Sequence, residues 1–245
     1  MAEKIVGRQP VLEALKAGQS IEKILVQHGT RGSAVDAIYR LAKQRGIPIM
    51  QSSKERFREL SGDEMTQGVI ALVGATVYVE IDDILGVAKN RNEAPFILIL
   101  DEIEDPHNLG ALMRTAECAG VHGVVIPKHH SAPVSHAVAK VSAGATAHLS
   151  VARVTNIVRA IQELKGHDSW IVGADMSGGK SYFEVDYREP VAIVIGNEGK
   201  GIRRLVKEEC DFLVRIPLYG KIGSLNASVA GGLLMFEAAR QRHGG

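Results

Sequence analysis

The sequence predicts an α/β protein in two unequal parts, and three observations carry that prediction. Short apolar runs alternate with stretches of helical periodicity along nearly the whole chain. The alternation breaks once, over residues 75–94, where charges surround only a weak apolar stripe. The length, 245 residues at 45% hydrophobic and 23% charged, suits one large or two small domains of ordinary globular composition.

Residues 1–74 read as a compact α/β unit. Val11, Leu12 and Leu15 form a helical stripe that stops at Gly18, and residues 21–27 form a strand. Val35, Ile38, Tyr39 and Ala42 have helical spacing, closed by Gly46. A strand at 47–51, a charged helix at 53–60 and a strand at 68–73 follow. Residues 75–94 read as a connector with a short amphipathic helix on Ile81, Ile84, Leu85 and Ala88. From residue 95 the pattern strengthens, with strands at 96–100, 123–126, 170–173, 191–195 and 212–216. Helices fit 108–119, 134–143, 156–165, 202–208 and 227–242. Such alternation implies a parallel sheet covered on both faces.

Net charge is +1, which excludes a chain-wide basic field for nucleic acid. By segment the picture differs. Residues 1–74 carry 11 basic and 8 acidic groups, residues 75–95 carry 2 and 4, and residues 96–245 carry 16 of each. The excess is local, with Arg40, Lys43, Arg45, Lys54, Arg56 and Arg58 close in sequence. Solvated helix faces would give the same pattern. Two cysteines, Cys118 and Cys210, are too few for a disulfide framework and point to a reducing compartment. No apolar run reaches signal-peptide or membrane-span length, so a cytoplasmic protein with no membrane is expected.

Three segments stand out. From Asp101 to Arg114 the chain reads DEIEDPHNLGALMR, leaving a strand and entering a helix, where open α/β sheets place ligands. Asn108 is positioned to cap that helix, and Arg114 sits off the stripe of Leu109, Leu112, Met113 and Ala116. It points into a cleft or is simply an exposed Arg. The second segment, from Val191 to Gly201, puts Gly196, Gly199 and Gly201 after an apolar strand, which leaves backbone groups open to a ligand. The third runs from Ile216 to Ser228 and offers Ser224, Asn226 and Ser228 as helix caps, more than one helix needs. The helix after it has an apolar stripe of Val229, Leu233 and Phe236. Gly231 and Gly232 interrupt it, which costs unless another backbone or subunit approaches.

Other chemistries find little support. No His-Glu-x-x-His or Cys-x-x-Cys pattern is present, and adjacent His129 and His130 are poorly placed to share a metal. Gly179-Lys180-Ser181 follows a strand like a phosphate loop, but Ala174 stands where the leading Gly belongs. Cys118 reads as a small core residue.

In their order and spacing, the three segments resemble the signature motifs of the SpoU branch of the SPOUT RNA methyltransferases, from residue 95 to the C-terminus. Gly7-Arg-Gln-Pro-Val-Leu-Glu-Ala-Leu and Gln67-Gly-Val-Ile resemble the L30e-like substrate-binding domain of the bacterial 23S rRNA (guanosine-2′-O-)-methyltransferases. The resemblance implies an L30e-like RNA-binding domain at 1–74, a linker at 75–94 and a parallel-sheet SPOUT domain with a trefoil knot at 95–245. It implies S-adenosylmethionine as cofactor, contacted at Gly196, Ile216 and Leu225. It makes Arg114 the central catalytic residue, supported by Asn108, Glu198, Ser224 and Asn226. It also implies a homodimer acting on 23S rRNA without a metal. A tRNA 2′-O-methyltransferase, a resistance-type rRNA methyltransferase and a non-catalytic RNA-binding protein are the alternatives.

Overall fold

A computed structural model describes residues 4–16, 21–61, 66–73 and 77–244. The stop assigned to Gly18 and the first two residues of the connector lie outside them. The chain divides into two compact units, 1–76 and 77–245.

The first unit contains β1 (Lys4–Val6), α1 (Arg8–Lys16), β2 (Ile21–Gln27), α2 (Ser33–Gln44), β3 (Ile49–Ser52), α3 (Lys54–Ser61) and β4 (Val69–Val73). Its sheet has the order β1-β4-β2-β3, with β4 antiparallel to both neighbours and β3 parallel to β2. Val11, Leu12 and Leu15 of α1 and Val35, Ile38 and Ala42 of α2 are buried with Ile24, Val26, Val69 and Ala71 of the sheet. Two of the six clustered basic residues are spent inside the unit. Arg45 donates to the Leu15 carbonyl (3.0 Å), and Arg56 pairs with Glu59 (2.9 Å). Arg40, Lys43, Lys54 and Arg58 are exposed.

The second unit opens with α4 (Ile81–Arg91), in the stretch read as a connector. Ile81, Ile84 and Ala88 of this helix are buried. There follow β5 (Phe96–Asp101), α5 (Pro106–Cys118), β6 (Gly123–Pro127), α6 (His136–Val141), β7 (Ser150–Val154), α7 (Ile157–Lys165), β8 (Trp170–Ala174), β9 (Lys180–Ser181), β10 (Val191–Gly196), α8 (Arg204–Glu208), β11 (Phe212–Arg215) and α9 (Ala227–His243). The seven strands form one sheet, β7-β6-β5-β10-β8-β11-β9, parallel at every pairing. In β5, Phe96, Leu98 and Leu100 face the layer of α5 and α9, while Ile97 and Ile99 face that of α4, α7 and α8. Every residue of β5 and β10 is buried. Strands covered on both faces need unbroken apolar sequence, which is why these two are so plain in the chain.

Three sequence readings are corrected. Asp105, not Asn108, caps α5: its carboxylate accepts from the His107 N–H (2.9 Å), with Pro106 at the first helical position. Cys118 is exposed, because it lies about 200° around the helix from buried Ala116. The stripe of Val229, Leu233 and Phe236 faces outward. The buried face of α9 is Ala227, Gly231, Leu234, Met235 and Ala238. At Gly231 the close neighbour lies within the chain itself: a β-carbon there would sit 2.5 Å from Cδ2 of buried Leu112 in α5, which would have to shift. The disfavoured phosphate-loop reading needs no correction: Lys180–Ser181 is a short edge strand followed by a 3-10 turn at Tyr182–Glu184, with Lys180 over the Phe212 ring at 5.1 Å. No phosphate loop leads into an α-helix there.

Arg242 and His122 hold together the chain around the start of β5. Arg242 of α9 donates to the carbonyls of Ala94, Pro95, Tyr187 and Glu189 at 2.6 to 3.0 Å and stacks on Phe96, and burial pulls its guanidinium down to about 10. His122 is 2% exposed; its Nδ1 accepts from the Phe96 N–H (2.9 Å) and its Nε2 meets Glu93 (2.9 Å). Burial lowers the His122 pKa, outweighing the opposing pull of Glu93. The neutral imidazole is therefore favoured more in the folded than in the unfolded chain. Its contribution is fully present above the unfolded value of 6.5 and is lost as pH falls through the depressed folded value. Urea midpoints of the wild type should drop between about pH 7 and pH 5 more than those of His122→Asn, which cannot titrate. Parallel curves would remove His122 as the cause.

Candidate active site

The carboxyl ends of β8, β10 and β11 surround a cavity of 290 Å³. Its walls are Ala174–Met176, Ile195–Gly201, Val214, Ile216, Leu218, Ser224, Leu225, Ala227 and Ala230. The volume is near the lower end of small-ligand pockets, about 300 to 1,000 Å³. Five of the eight residues singled out from the sequence line it: Gly196, Ile216, Glu198, Ser224 and Leu225.

The glycine loop has a defined shape. Asn197 and Gly201 exchange backbone hydrogen bonds (3.1 and 2.7 Å), folding the loop back over Gly196. A β-carbon on Gly196 would lie 2.3 Å from the carbonyl carbon of Gly201 and from the Ile202 nitrogen, so only glycine fits. The Asn197 side-chain oxygen accepts from Gly199 N–H (3.0 Å) and Lys200 N–H (3.3 Å), and its amide donates to the Glu102 carbonyl (3.0 Å). Asp101, fully buried at the end of β5, accepts from the Arg203 N–H (2.9 Å) and the Arg203 guanidinium (2.8 and 2.6 Å). That carboxylate raises the Arg203 pKa further. The loop is thus clamped on both sides to the segment that leads into α5.

A carboxylate ties the three segments together. Glu198 Oε1 accepts from Asn108 Nδ2 (2.7 Å), from Asn226 Nδ2 and, more weakly, from the Ala227 N–H (3.4 Å). Asn226 Nδ2 also donates to Asn108 Oδ1 (3.0 Å). The other end of Asn226 caps α9, its Oδ1 accepting from Ser228 N–H (2.9 Å), Ser228 Oγ (2.5 Å) and Val229 N–H (3.4 Å). One side chain therefore starts a helix and joins two other loops. Of the three cap candidates, Ser228 supports the capping residue and Ser224 is left exposed at the cavity.

Arg114 is not in the cavity wall. It is exposed on α5, about two turns beyond Asn108, and no partner holds it among the described residues. Asp175 at the end of β8 was not singled out from the sequence, although it lines the cavity. It pairs with Lys207 (2.5 Å) and accepts from Ser177. Burial raises its pKa, but Lys207 and Ser177 together hold it below the usual value. Asn197, Asp101 and Arg203 were also missed. An Asn directly after Gly196, in a loop needing tight turns, was the available signal for the first. Among the described residues, no cluster of three His, Cys, Asp or Glu could hold a metal ion, and no helix is long and apolar enough to cross a membrane.

A parallel sheet carries a glycine-shaped loop at its carboxyl edge, and an Asn-Glu-Asn cluster joins the three segments beside the cavity. The comparisons give the family. Residues 95–236 match the SpoU rRNA Methylase family, and residues 4–78 match the RNA 2′-O ribose methyltransferase substrate-binding family. A putative TrmH family tRNA/rRNA methyltransferase, YacO, from Bacillus subtilis (strain 168) is 45% identical over 98% of this chain and 96% of its own. The AviRb SpoU methyltransferase of Streptomyces viridochromogenes, in complex with AdoMet, has a TM-score of 0.73 at 24% identity, covering 99% of this chain and 91% of that one. That likeness shows the fold. A solved RNA 2′-O ribose methyltransferase has a TM-score of 0.64 at 28% identity, covering 98% and 88%. The chain belongs to the SpoU/TrmH family of RNA 2′-O-methyltransferases.

Proposed function

We propose that this chain uses S-adenosylmethionine to methylate the ribose 2′-oxygen of a guanosine in 23S rRNA, acting as a homodimer. Glu198, which lines the cavity and whose Oε1 accepts from Asn108 and Asn226 of the other two segments, carries the reading. The cavity suits the cofactor. Ile195, Ile216, Leu218 and Leu225 offer apolar surface for an adenine, and the backbone of residues 196–201 offers donors and acceptors at its edge. Gly196, Ile216 and Leu225 would hold it. When bound, the cofactor supplies a sulfonium methyl that is already electrophilic, so no metal is required.

The chain's residues then have to place the acceptor oxygen and manage its proton. Asn108, Glu198 and Asn226 fix the loops, and exposed Ser224 offers a hydroxyl at the cavity. Arg114 binds the neighbouring phosphate and stabilises the developing alkoxide. Its guanidinium, with a pKa above about 12, does not act as base, and the 2′-hydroxyl proton passes to an RNA phosphate oxygen or to water. The outward stripe of Val229 (50% exposed), Leu233 (38%) and Phe236 (52%) on α9 supports the dimer, since a second copy would cover it. The knotted path implied by the family likeness belongs to this proposal as well.

The division of labour is also proposed: residues 1–74 recognise RNA, and 95–245 carry catalysis. Exposed Arg40, Lys43, Lys54 and Arg58 and the match to a substrate-binding family support it. The curated relatives carry both tRNA and rRNA in their names, so the deciding experiment uses both. Labelled methyl is offered to deproteinised rRNA and tRNA and the modified nucleotide is mapped. Label on a 23S guanosine ribose is expected; label on tRNA would replace the rRNA assignment. Gly196→Ala should weaken cofactor binding by about tenfold or more, because the backbone of Gly201 must move. Isothermal titration with S-adenosylmethionine reads this directly, and unchanged affinity would take Gly196 out of the site.

A further inference from the structure

The 216–226 loop holds the most exposed aromatic side chain of the second unit. Tyr219 is 97% exposed and Ile222 79%. Both are bracketed by cavity-lining residues, Ile216 and Leu218 on one side and Ser224 and Leu225 on the other. Residues 219–223 therefore emerge at the mouth of the cavity. Gly220 and Gly223 flank the tip, with open space around both. Lys221 in the tip and Lys200 on the glycine loop are exposed, and neither is held by a carboxylate among the described residues. Only 4% of the chain is aromatic, so a fully bare ring on a loop that borders the cavity, with Lys221 on the same loop and Lys200 in the cavity wall, is an unusual use of a scarce side chain.

We propose that Tyr219 stacks on an unpaired nucleobase beside the target ribose, with Lys221 and Lys200 facing the phosphates. The inference rests on the proposed RNA methylation and adds the group that holds the strand at the cavity. A 2′-hydroxyl in single-stranded or looped RNA swings freely unless a neighbouring base is pinned. Aromatic faces do this for any base, and cations satisfy the backbone. Tyr219 is a substrate-positioning residue and takes no part in proton transfer.

Wild type, Tyr219→Ala and Tyr219→Phe are compared in methyl transfer to deproteinised rRNA at saturating S-adenosylmethionine. Cofactor affinity is measured by titration and oligomeric state by sedimentation. Tyr219→Ala is expected to raise the KM for RNA by about 5- to 150-fold, the loss of one base–aromatic stack. Cofactor affinity should stay within about twofold and the oligomeric state should not change, while Tyr219→Phe, which keeps the ring, should behave as wild type. An unchanged KM in Tyr219→Ala overturns the proposal, and so does an equal loss in Tyr219→Phe. Dissociation of the oligomer would make a second copy of the chain the occupant, and an equal loss of cofactor affinity would place the ring with the cofactor. If the wild type itself transfers no methyl to RNA, the reading beneath the inference fails and takes the inference with it.

Discussion

Arg114→Lys is expected to lower turnover by about 10²- to 10³-fold at saturating RNA and cofactor, the loss that follows from its proposed role as a charged donor to a developing oxyanion. Lysine keeps the charge but not the planar fork that can hold a phosphate and an alkoxide together. Because Arg114 is exposed and unpartnered among the described residues, the variant should melt with the wild type. Single-turnover kinetics and thermal denaturation separate the two effects. Turnover within about threefold of wild type, well under the loss of such a donor, would mean that a point charge suffices and that the fork geometry is wrong.

The second large effect is on stability. Arg203→Ala strips the guanidinium from Asp101, a carboxylate with no exposure at all, and leaves it only the Arg203 backbone N–H. Breaking one side of a buried pair costs about 3 to 5 kcal/mol, and the lower figure applies because the Arg203 side chain is 45% exposed. The second unit should then melt roughly 6 to 12 °C lower. Adding Asp101→Asn to Arg203→Ala should recover part of the loss, since the uncompensated charge is gone. A double variant less stable than Arg203→Ala alone would locate the cost elsewhere. The same pair clamps the loop bearing Glu198, so the single variant should also lose cofactor affinity.

What could be read in advance followed burial. β5 and β10 are apolar throughout because both of their faces are covered, and their limits were legible to within a residue. The edge strand β7 was not, because its sequence Ser-Val-Ala-Arg-Val puts Arg153 outward, donating to the Lys128 carbonyl (2.9 Å). In α9 the large apolar residues pointed to the wrong face. Close approach to α5 selects Ala227, Gly231 and Ala238 for the inside, which leaves Val229, Leu233 and Phe236 outside. The members of the Asn108, Glu198 and Asn226 cluster were named through the family likeness. Their mutual bonds span 28, 90 and 118 residues of chain and belong to the fold alone. Asn108 is instructive. Its residue type suggested a cap, but Asp105-Pro106 starts the helix three positions earlier, which frees Asn108 to reach Glu198.

The most direct measurement replaces the mapped nucleotide in a short RNA substrate with its 2′-deoxy counterpart and follows transfer of labelled methyl from S-adenosylmethionine. If the ribose 2′-oxygen is the acceptor, the ribo substrate is labelled and the deoxy substrate is not. Equal labelling of the deoxy substrate would put the methyl group on the base and contradict the account.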